Sequence, residues 1–468
     1  MHTSDLQHSL NAKLSDMRSA VSRSPCPDWA WRRQRLDTVK QLLNTHADAI
    51  AESINQDFGG RPPSETRLLE LFPSLSSLQH AAAHGKRWMR GRRHWANQWF
   101  LPARTRLLPR PKGVVGIVVP WNYPLYLAVG PLVDALTAGN RVMLKMSEHT
   151  PRFSALFADL VAQHFAADEV HVVTGDADVG KAFAALPFDH LLFTGSTDVG
   201  RKVMQAASAN LTPVTLELGG KSPALVAPGA RLDHAVERIL FGKSVNAGQT
   251  CIAPDYVLVP RAEQAAFIAE ARDQFQRLYP PDTQRRDYAA LHSDAHAQRM
   301  HSLQEQAEAA GSTAYPLAEA DPARRCLPPV LLTDVHSDSP VMQEEIFGPL
   351  LPLVAYDDLD EALAFVAARP HPLAFYLFDD DAQRRERLLP RIHAGGIAIN
   401  DTLFHIAQHH LPFGGVGSSG MGAYHGEAGF KTFSHMQSVF LQSRFNLVGL
   451  MNPPYGSRFR KMLRYMMR

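Results

Sequence analysis

Cys251 closes the segment Asn246-Ala247-Gly248-Gln249-Thr250-Cys251. Small residues on the approach leave a thiol open to a substrate, and a thiolate is a strong nucleophile even near neutral pH. A free cysteine is equally a small buried hydrophobe, so both readings stand for Cys251 taken alone. Cys26 and Cys326 are assigned to the second. Glu217 lies in Leu216-Glu217-Leu218-Gly219-Gly220. A carboxylate at an apolar strand end is costly unless it is used or paired. Burial raises its pKa toward the range of a general base; the alternative is a structural carboxylate with a partner. Asn122, in Pro120-Trp121-Asn122-Tyr123-Pro124, offers an amide to an oxyanion, a role worth about 3 kcal/mol, or is a turn asparagine.

A second group suits a nucleotide. Gly195-Ser196-Thr197-Asp198-Val199-Gly200 follows a strand pattern and opens a helix pattern. Backbone N–H groups at a helix start bind phosphate, and glycine lets the phosphate approach. The spacing is G-x-x-x-x-G rather than the common dinucleotide fingerprint, so an ordinary tight turn competes. Lys145 and Glu148 end a strand, where ribose hydroxyls are bound in cofactor sheets, or they form a local surface pair. Glu345, before Phe347 and the turn Gly348-Pro349, is uninformative by itself.

Such residues need a sheet to position them. Short apolar strands alternate with helices from Gly113 onward: Val114 to Val119, Arg141 to Lys145, Val170 to Val173, His190 to Phe193, Pro213 to Leu218. This predicts an α/β protein with parallel strands covered on both faces and ligands at the strand carboxyl ends. A helix from Leu125 to Ala138 should end at Gly139-Asn140. Another should start at Thr150-Pro151, with Thr150 as its cap. Residues 1 to about 95 read as helical, by apolar spacing of three and four. Residues 96 to 112 read as extended strands leaving that body. A second α/β stretch includes Ala224 to Val226, Tyr256 to Pro260, Val330 to Leu332, Leu350 to Tyr356, Ala374 to Phe378 and Ile397 to Ile399. A Gly-rich loop follows from Pro412 to Gly422.

Composition narrows the class. The chain has 468 residues, with 48 Lys and Arg against 46 Asp and Glu. That balance gives no reason to expect a nucleic-acid partner. Three cysteines and scattered histidines, His409-His410 included, suggest neither a disulfide framework nor a metal site. The N-terminus lacks a signal-peptide pattern, and no apolar run is long enough to span a membrane, so a cytoplasmic enzyme is expected. The tail from Ser443 holds Arg444, Arg458, Arg460, Lys461, Arg464 and Arg468 and no acidic residue. It suits a cover for a tunnel mouth, a contact with an anionic membrane surface or a solvated end.

The ordered set of motifs is what stands out. Trp121-Asn122-Tyr123-Pro124, Phe193-Thr194-Gly195-Ser196, Glu217-Leu218-Gly219-Gly220-Lys221, Gly248-Gln249-Thr250-Cys251, Glu345-Ile346-Phe347-Gly348-Pro349 and Pro412-Phe413-Gly414-Gly415 together resemble the aldehyde dehydrogenase superfamily. The likeness runs from about residue 30 to 440. The C-terminal motifs are similar to the dimeric class 3 type and, at Asn400 to His405, to bacterial coniferyl aldehyde dehydrogenases. The resemblance implies a Rossmann-type NAD(P)-binding domain (1–95 and 113–217), an α/β catalytic domain (218–402), a small β oligomerisation arm (96–112 and 403–442) and the basic tail (443–468).

The resemblance also implies roles. Cys251 would be the nucleophile, forming a thiohemiacetal and then a thioester. Asn122 and the Cys251 N–H would form the oxyanion hole, and Glu217 would activate the hydrolytic water. Lys145 and Glu148 would contact the adenosine ribose, and Gly195, Ser196 and Gly200 the phosphates. Glu345 would bind the nicotinamide ribose, with Phe347 beside it. Tyr123, Tyr126, Phe404 and His405 would flank a channel for an aromatic or medium-chain aldehyde, or else pack as core. Glu148 favours NAD, with NADP accepted. Met146 departs from the proline usual in the family and is expected to loosen the ribose-side turn. A homodimer is expected. The competing readings are a fatty aldehyde enzyme with a membrane-associating tail, a thiol esterase using Cys251 and Glu217, and an inactive scaffold of the same fold.

Overall fold

The structure, a computed structural model, describes residues 3–467. Met1, His2 and Arg468, the last of the six basic tail residues, lie outside the described residues. Three sheets organise the chain. The first carries five parallel strands in the order Val170–Val173, Arg141–Lys145, Val114–Val118, His190–Thr194, Val214–Glu217. The first strand in sequence sits in the middle, so the order reverses between it and His190–Thr194. That is the doubly wound arrangement, and its ligand crevice lies at the reversal. These strands are almost wholly buried because helices cover both faces.

The second sheet has seven strands, ordered Thr313–Pro316, Val330–Thr333, Leu350–Tyr356, Tyr256–Pro260, Pro223–Val226, Ala374–Phe378, Gly396–Ile399. Only Thr313–Pro316 runs antiparallel. The α/β expectation and the strand positions hold within a residue or two. Thr313–Pro316 escaped notice because a half-exposed edge strand of four residues carries little periodicity.

The helix Tyr126–Ala138 is buried along its whole length and ends at Gly139, whose φ of 92° suits glycine. The helix Pro151–His164 starts where expected, but Thr150 makes no side-chain cap. Asp57 supplies it instead, accepting the N–H groups of Arg152 (3.1 Å) and Phe153 (2.9 Å). A cap from a residue so far away leaves no mark in the local sequence.

The third sheet is the small arm, ordered Arg92–His94, Arg104–Pro111, Ser434–Leu441, all antiparallel. Two expectations are corrected here. Arg92–His94 is a strand of the arm rather than the end of a helical body. Residues 403–433 do not belong to the arm either: Gly420–Met421 pairs with Val214–Glu217 at the edge of the first sheet. The helix Gly426–Thr432 then packs on the helix Tyr126–Ala138. The Gly-rich loop thus returns to the strand that carries Glu217. Among the described residues no helix is long and apolar enough to cross a membrane, and no His, Cys, Asp and Glu group suits a metal ion.

Candidate active site

Cys251 follows a turn in which three successive residues are left-handed: Asn246 (φ 51°), Ala247 (φ 51°) and Gly248 (φ 73°). Each non-glycine residue there costs about 1–2 kcal/mol, so the turn persists only if its surroundings hold it. They do. Asn246 Nδ2 donates to the carbonyls of Asn122 (3.0 Å) and Gln249 (3.1 Å). Gln249 Nε2 donates to the carbonyls of Asn246 (2.8 Å) and Ala290 (3.2 Å), while its Oε1 accepts the His292 N–H at 2.8 Å. A Cβ at Gly248 would run into the Gly348 carbonyl, so this position needs glycine for space as well as for φ.

The turn leaves Cys251 half-buried. Burial, with Glu345 and Glu217 nearby, pushes its thiol up to about 12. Opposing this, the N–H groups of Cys251 and Ile252 point at the sulfur. Glu217 ends its strand with both carboxyl oxygens buried and without a hydrogen-bond partner among the described residues. Burial raises its pKa well above the ordinary carboxylate value. The alternative of a paired structural carboxylate is therefore not what the structure holds. Asn122 is buried, and its Nδ2 donates to the Gln249 carbonyl at 3.2 Å. An amide carries two N–H donors, and this bond uses one.

Glu345 also lies close enough to Cys251 to raise its thiol. Its carboxyl lies against Gly219, where a side chain would collide with it, and accepts the Gly220 N–H. Burial, with Asp255 close by, raises it to about 8. Its loop is tied down on both sides. Arg299 donates to the carbonyls of Glu345 (2.8 Å) and Ile346 (2.6 Å), and Asp255 accepts the Ile346 N–H at 3.0 Å while pairing with Lys221. Phe347 is left-handed (φ 53°) and meets Trp121 edge-on at 5.4 Å between ring centroids.

The carboxyl ends of the first sheet carry the expected nucleotide residues. Lys145 Nζ donates to the Met146 carbonyl (2.8 Å) and to Glu148 Oε2 (3.2 Å). Lys145 and Glu148 are thus both a local pair and a strand-end pair. Burial works to raise Glu148, but a backbone hydrogen bond and Lys145 hold it below its ordinary value. Met146 does not loosen the turn: its N–H donates to the Val173 carbonyl at 3.0 Å, a bond proline cannot make. Gly195 binds back to the Glu217 carbonyl (3.0 Å). Ser196 caps the helix Thr197–Ser208, accepting the Val199 N–H, and Gly200 packs on Leu218. A helix start and a strand-end carboxylate at the carboxyl ends of one sheet, with Glu345 on the loop against Gly219, fit a dinucleotide lying across the sheet.

The four channel residues are placed unequally. Tyr123 is buried, its hydroxyl sharing a 2.7 Å hydrogen bond with Thr250. Tyr126 is buried beside His425, 3.3 Å from its Nε2. His405 packs on Tyr376 and Phe413, and burial lowers it to about 4. Phe404 is exposed, over Phe241 and Arg238. Residues missed from sequence include Tyr424, whose buried hydroxyl feels both Glu217 and Cys251, and Lys243, fully buried near Glu345 with no partner for its Nζ among the described residues. Lys243 sits in an amphipathic helix, where lysine ordinarily signals a wet face.

The comparisons agree with this geometry. The model of the aldehyde dehydrogenase family matches residues 10–439. A Pseudomonas aeruginosa protein named "Probable coniferyl aldehyde dehydrogenase" is 48% identical over 454 residues, covering 97% of this chain and 95% of its own. A coniferyl aldehyde dehydrogenase from another Pseudomonas is 42% identical over 460 residues, covering 97% and 95%. The solved substrate-bound state of Staphylococcus aureus AldH superposes with TM-score 0.92 at 37% identity, covering 97% of this chain and 99% of that one. A Mycobacterium tuberculosis aldehyde dehydrogenase solved with NAD+ gives TM-score 0.85 at 26% identity, covering 94% and 92%. The chain belongs to the aldehyde dehydrogenase family, whose members oxidise an aldehyde to the carboxylic acid with NAD(P).

Proposed function

We propose that Cys251 is the nucleophile of this reaction, Asn122 and the Cys251 N–H its oxyanion donors, and Glu217 the base for hydrolysis. The observation that carries this is the unpartnered, buried Glu217 carboxyl lying close enough to Cys251 to raise its thiol. Cys251 gives up its thiol proton to solvent, the thiolate sulfur adds to the aldehyde carbon, and the C=O electron pair moves onto oxygen as an oxyanion. Asn122 Nδ2 and the Cys251 N–H stabilise that charge in a site already built for it. The bound dinucleotide supplies the hydride acceptor. Collapse of the oxyanion breaks the C–H bond, whose hydride leaves to that acceptor, and gives a thioester on Cys251. Glu217 takes a proton from water, which adds to the thioester carbon; the C–S bond breaks and the acid leaves. Lys145, Glu148, Gly195, Ser196, Gly200, Glu345 and Phe347 would hold the dinucleotide. The Glu148 carboxylate favours a ribose 2′-hydroxyl over a phosphate, hence NAD with NADP tolerated.

The substrate reading is an aromatic aldehyde of the coniferyl type, supported by the names of the relatives and by Tyr424 beside the reacting pair, with Tyr126 near it. A medium-chain aldehyde is the second reading. It is favoured by the tail helix Ser457–Met466, which sets Phe459, Met462, Leu463 and Met466 on one side and Arg458, Arg460, Lys461 and Arg464 on the other. Such a helix suits an apolar, anionic surface. The enzyme is read as a cytoplasmic homodimer, on a sequence with as few as three cysteines and on the exposed edge of the arm.

The test is reduced-cofactor formation from coniferaldehyde, benzaldehyde, hexanal and decanal, with NAD or NADP, by wild type and Cys251→Ala. Turnover lost in the variant supports the assignment, and the best aldehyde selects the class. Cofactor reduction that survives in Cys251→Ala would remove the nucleophile assignment. Hydrolysis of p-nitrophenyl acetate without nicotinamide, with no cofactor reduction from any aldehyde, would favour the esterase reading.

A further inference from the structure

Arg61 is fully buried and lies outside every motif of the sequence analysis. Its guanidinium sits 4.7 Å from the ring centroid of Tyr123. Its Nη1 donates to Glu70 Oε1 (2.8 Å) and to the carbonyl of Asn122 (3.1 Å). The other Glu70 oxygen accepts the N–H groups of Leu125 (2.7 Å) and Tyr126 (3.1 Å), at the start of the helix that follows the Asn122 loop. On its far side, Arg61 Nε lies 3.5 Å from Glu65 Oε1. That oxygen accepts the N–H of Asn246 at 2.8 Å. Asn246 is the first left-handed residue of the cysteine turn, and its amide reaches the same Asn122 carbonyl.

Two loops therefore meet at one cation, the Asn122 loop through a hydrogen bond and the cysteine turn through Glu65, which is in ion-pair contact with Arg61 Nε. One carries the Asn122 amide, the other the Cys251 N–H. An oxyanion hole works only if its donors keep a fixed spacing, and small misplacements cost large factors in rate. Charge-assisted hydrogen bonds are shorter and stronger than neutral ones, which suits a clamp across a turn in a costly conformation. We propose that Arg61, braced by Glu65 and Glu70, is a positioning residue that sets the register of the oxyanion hole. The proposal rests on the assignment of Asn122 and Cys251 above.

Carbonyl addition needs the oxyanion hole, whereas alkylation of a thiol by iodoacetamide forms no oxyanion. This separates positioning from general support of the turn. The experiment compares Arg61→Met, Glu65→Leu and Glu65→Gln with wild type and Asn122→Ala. It reads aldehyde oxidation, p-nitrophenyl acetate hydrolysis, iodoacetamide alkylation of Cys251, NAD affinity and melting temperature. Removing one oxyanion donor costs roughly 10²–10³ in kcat. Displacing both donors by Arg61→Met or Glu65→Leu should cost at least about tenfold in aldehyde and ester turnover, with alkylation and NAD affinity nearly unchanged. Glu65→Gln keeps an acceptor for the Asn246 N–H and should recover most of the loss. Because Arg61→Met leaves buried carboxylates unpaired and threatens folding, the Glu65 pair decides. A folded Glu65→Leu with wild-type carbonyl chemistry overturns the proposal, as does an equal fall in alkylation and carbonyl chemistry. If Asn122→Ala leaves carbonyl chemistry intact, the underlying assignment fails instead.

Discussion

Glu217 and Cys251 are both held in buried surroundings, and the Glu217 carboxyl further disfavours the thiolate of Cys251. Burial disfavours the charged form of both groups. For the thiol, a value of about 12 means that the reactive thiolate fraction is small and grows tenfold per pH unit below it. Alkylation of Cys251 in the cofactor-free protein should therefore climb steadily from pH 7 to pH 10; a plateau near pH 8 would contradict the environment described. For the carboxyl the sign runs the same way. A base works only when deprotonated, so thioester hydrolysis should rise with pH through a range well above that of an ordinary carboxylate. Glu217→Gln should keep a first-turnover burst of reduced cofactor, lose roughly 10²–10⁴ in steady-state rate, and lose that pH dependence. Steady turnover without a burst would assign the base elsewhere.

At the scale of the element, the buried helix Tyr126–Ala138 holds Asp134, which accepts the N–H of His425 at 3.0 Å and one from Gly426. It thereby fastens the start of the helix Gly426–Thr432, and with it the loop that returns to the Glu217 strand. Burial raises Asp134 to about 8 in the folded chain, against 3.8 for its ordinary value. The unfolded chain thus releases the proton at lower pH than the folded one. Stability is unaffected below about pH 4, falls between about pH 4 and 8 at up to about 1.4 kcal/mol per pH unit, and has no further loss above that. Asp134→Asn keeps an acceptor for the His425 N–H and removes the cost, so it should raise the melting temperature at pH 8.5 and leave it little changed at pH 4. An equal shift at both values would rule out the titration. None of this was legible beforehand, because one aspartate in an apolar helix does not reveal its partner 291 residues later. Strands buried on both faces were legible from their runs of Val, Leu and Ile, and Gly139 marked its helix end. The cysteine turn was visible as a motif but not as three left-handed residues, since only Gly248 advertises that conformation. Arg61, Glu65 and Glu70 lie outside every sequence motif, and only tertiary packing turns them inward.

Across the whole molecule the near-zero net charge hides a separation. Residues 86–112 and 431–468 hold sixteen of the 48 basic residues and none of the 46 acidic ones. These segments include the strands of the arm and the tail helix. The same region exposes Trp95 at 95%, Phe445 at 88% and Leu441 at 63% of their surface. Apolar side chains on an edge strand invite pairing with another chain, and Ser434–Leu441 is such an edge. A second copy, as in the proposed homodimer, would satisfy both features: its strand or loop would cover Phe440 and Leu441, and the acidic remainder of its surface would face the basic arm. The expected species is a dimer of twice 51.8 kDa in light scattering. The double substitution Phe440→Glu and Leu441→Glu should shift it to the monomer, because like carboxylates would then meet across the contact. Raising salt alone should shift it less, since apolar burial is not screened as surface charge is. A wild-type protein that stays monomeric at micromolar concentration would leave the arm to another occupant, and the apolar side of Ser457–Met466 would then point to a lipid surface.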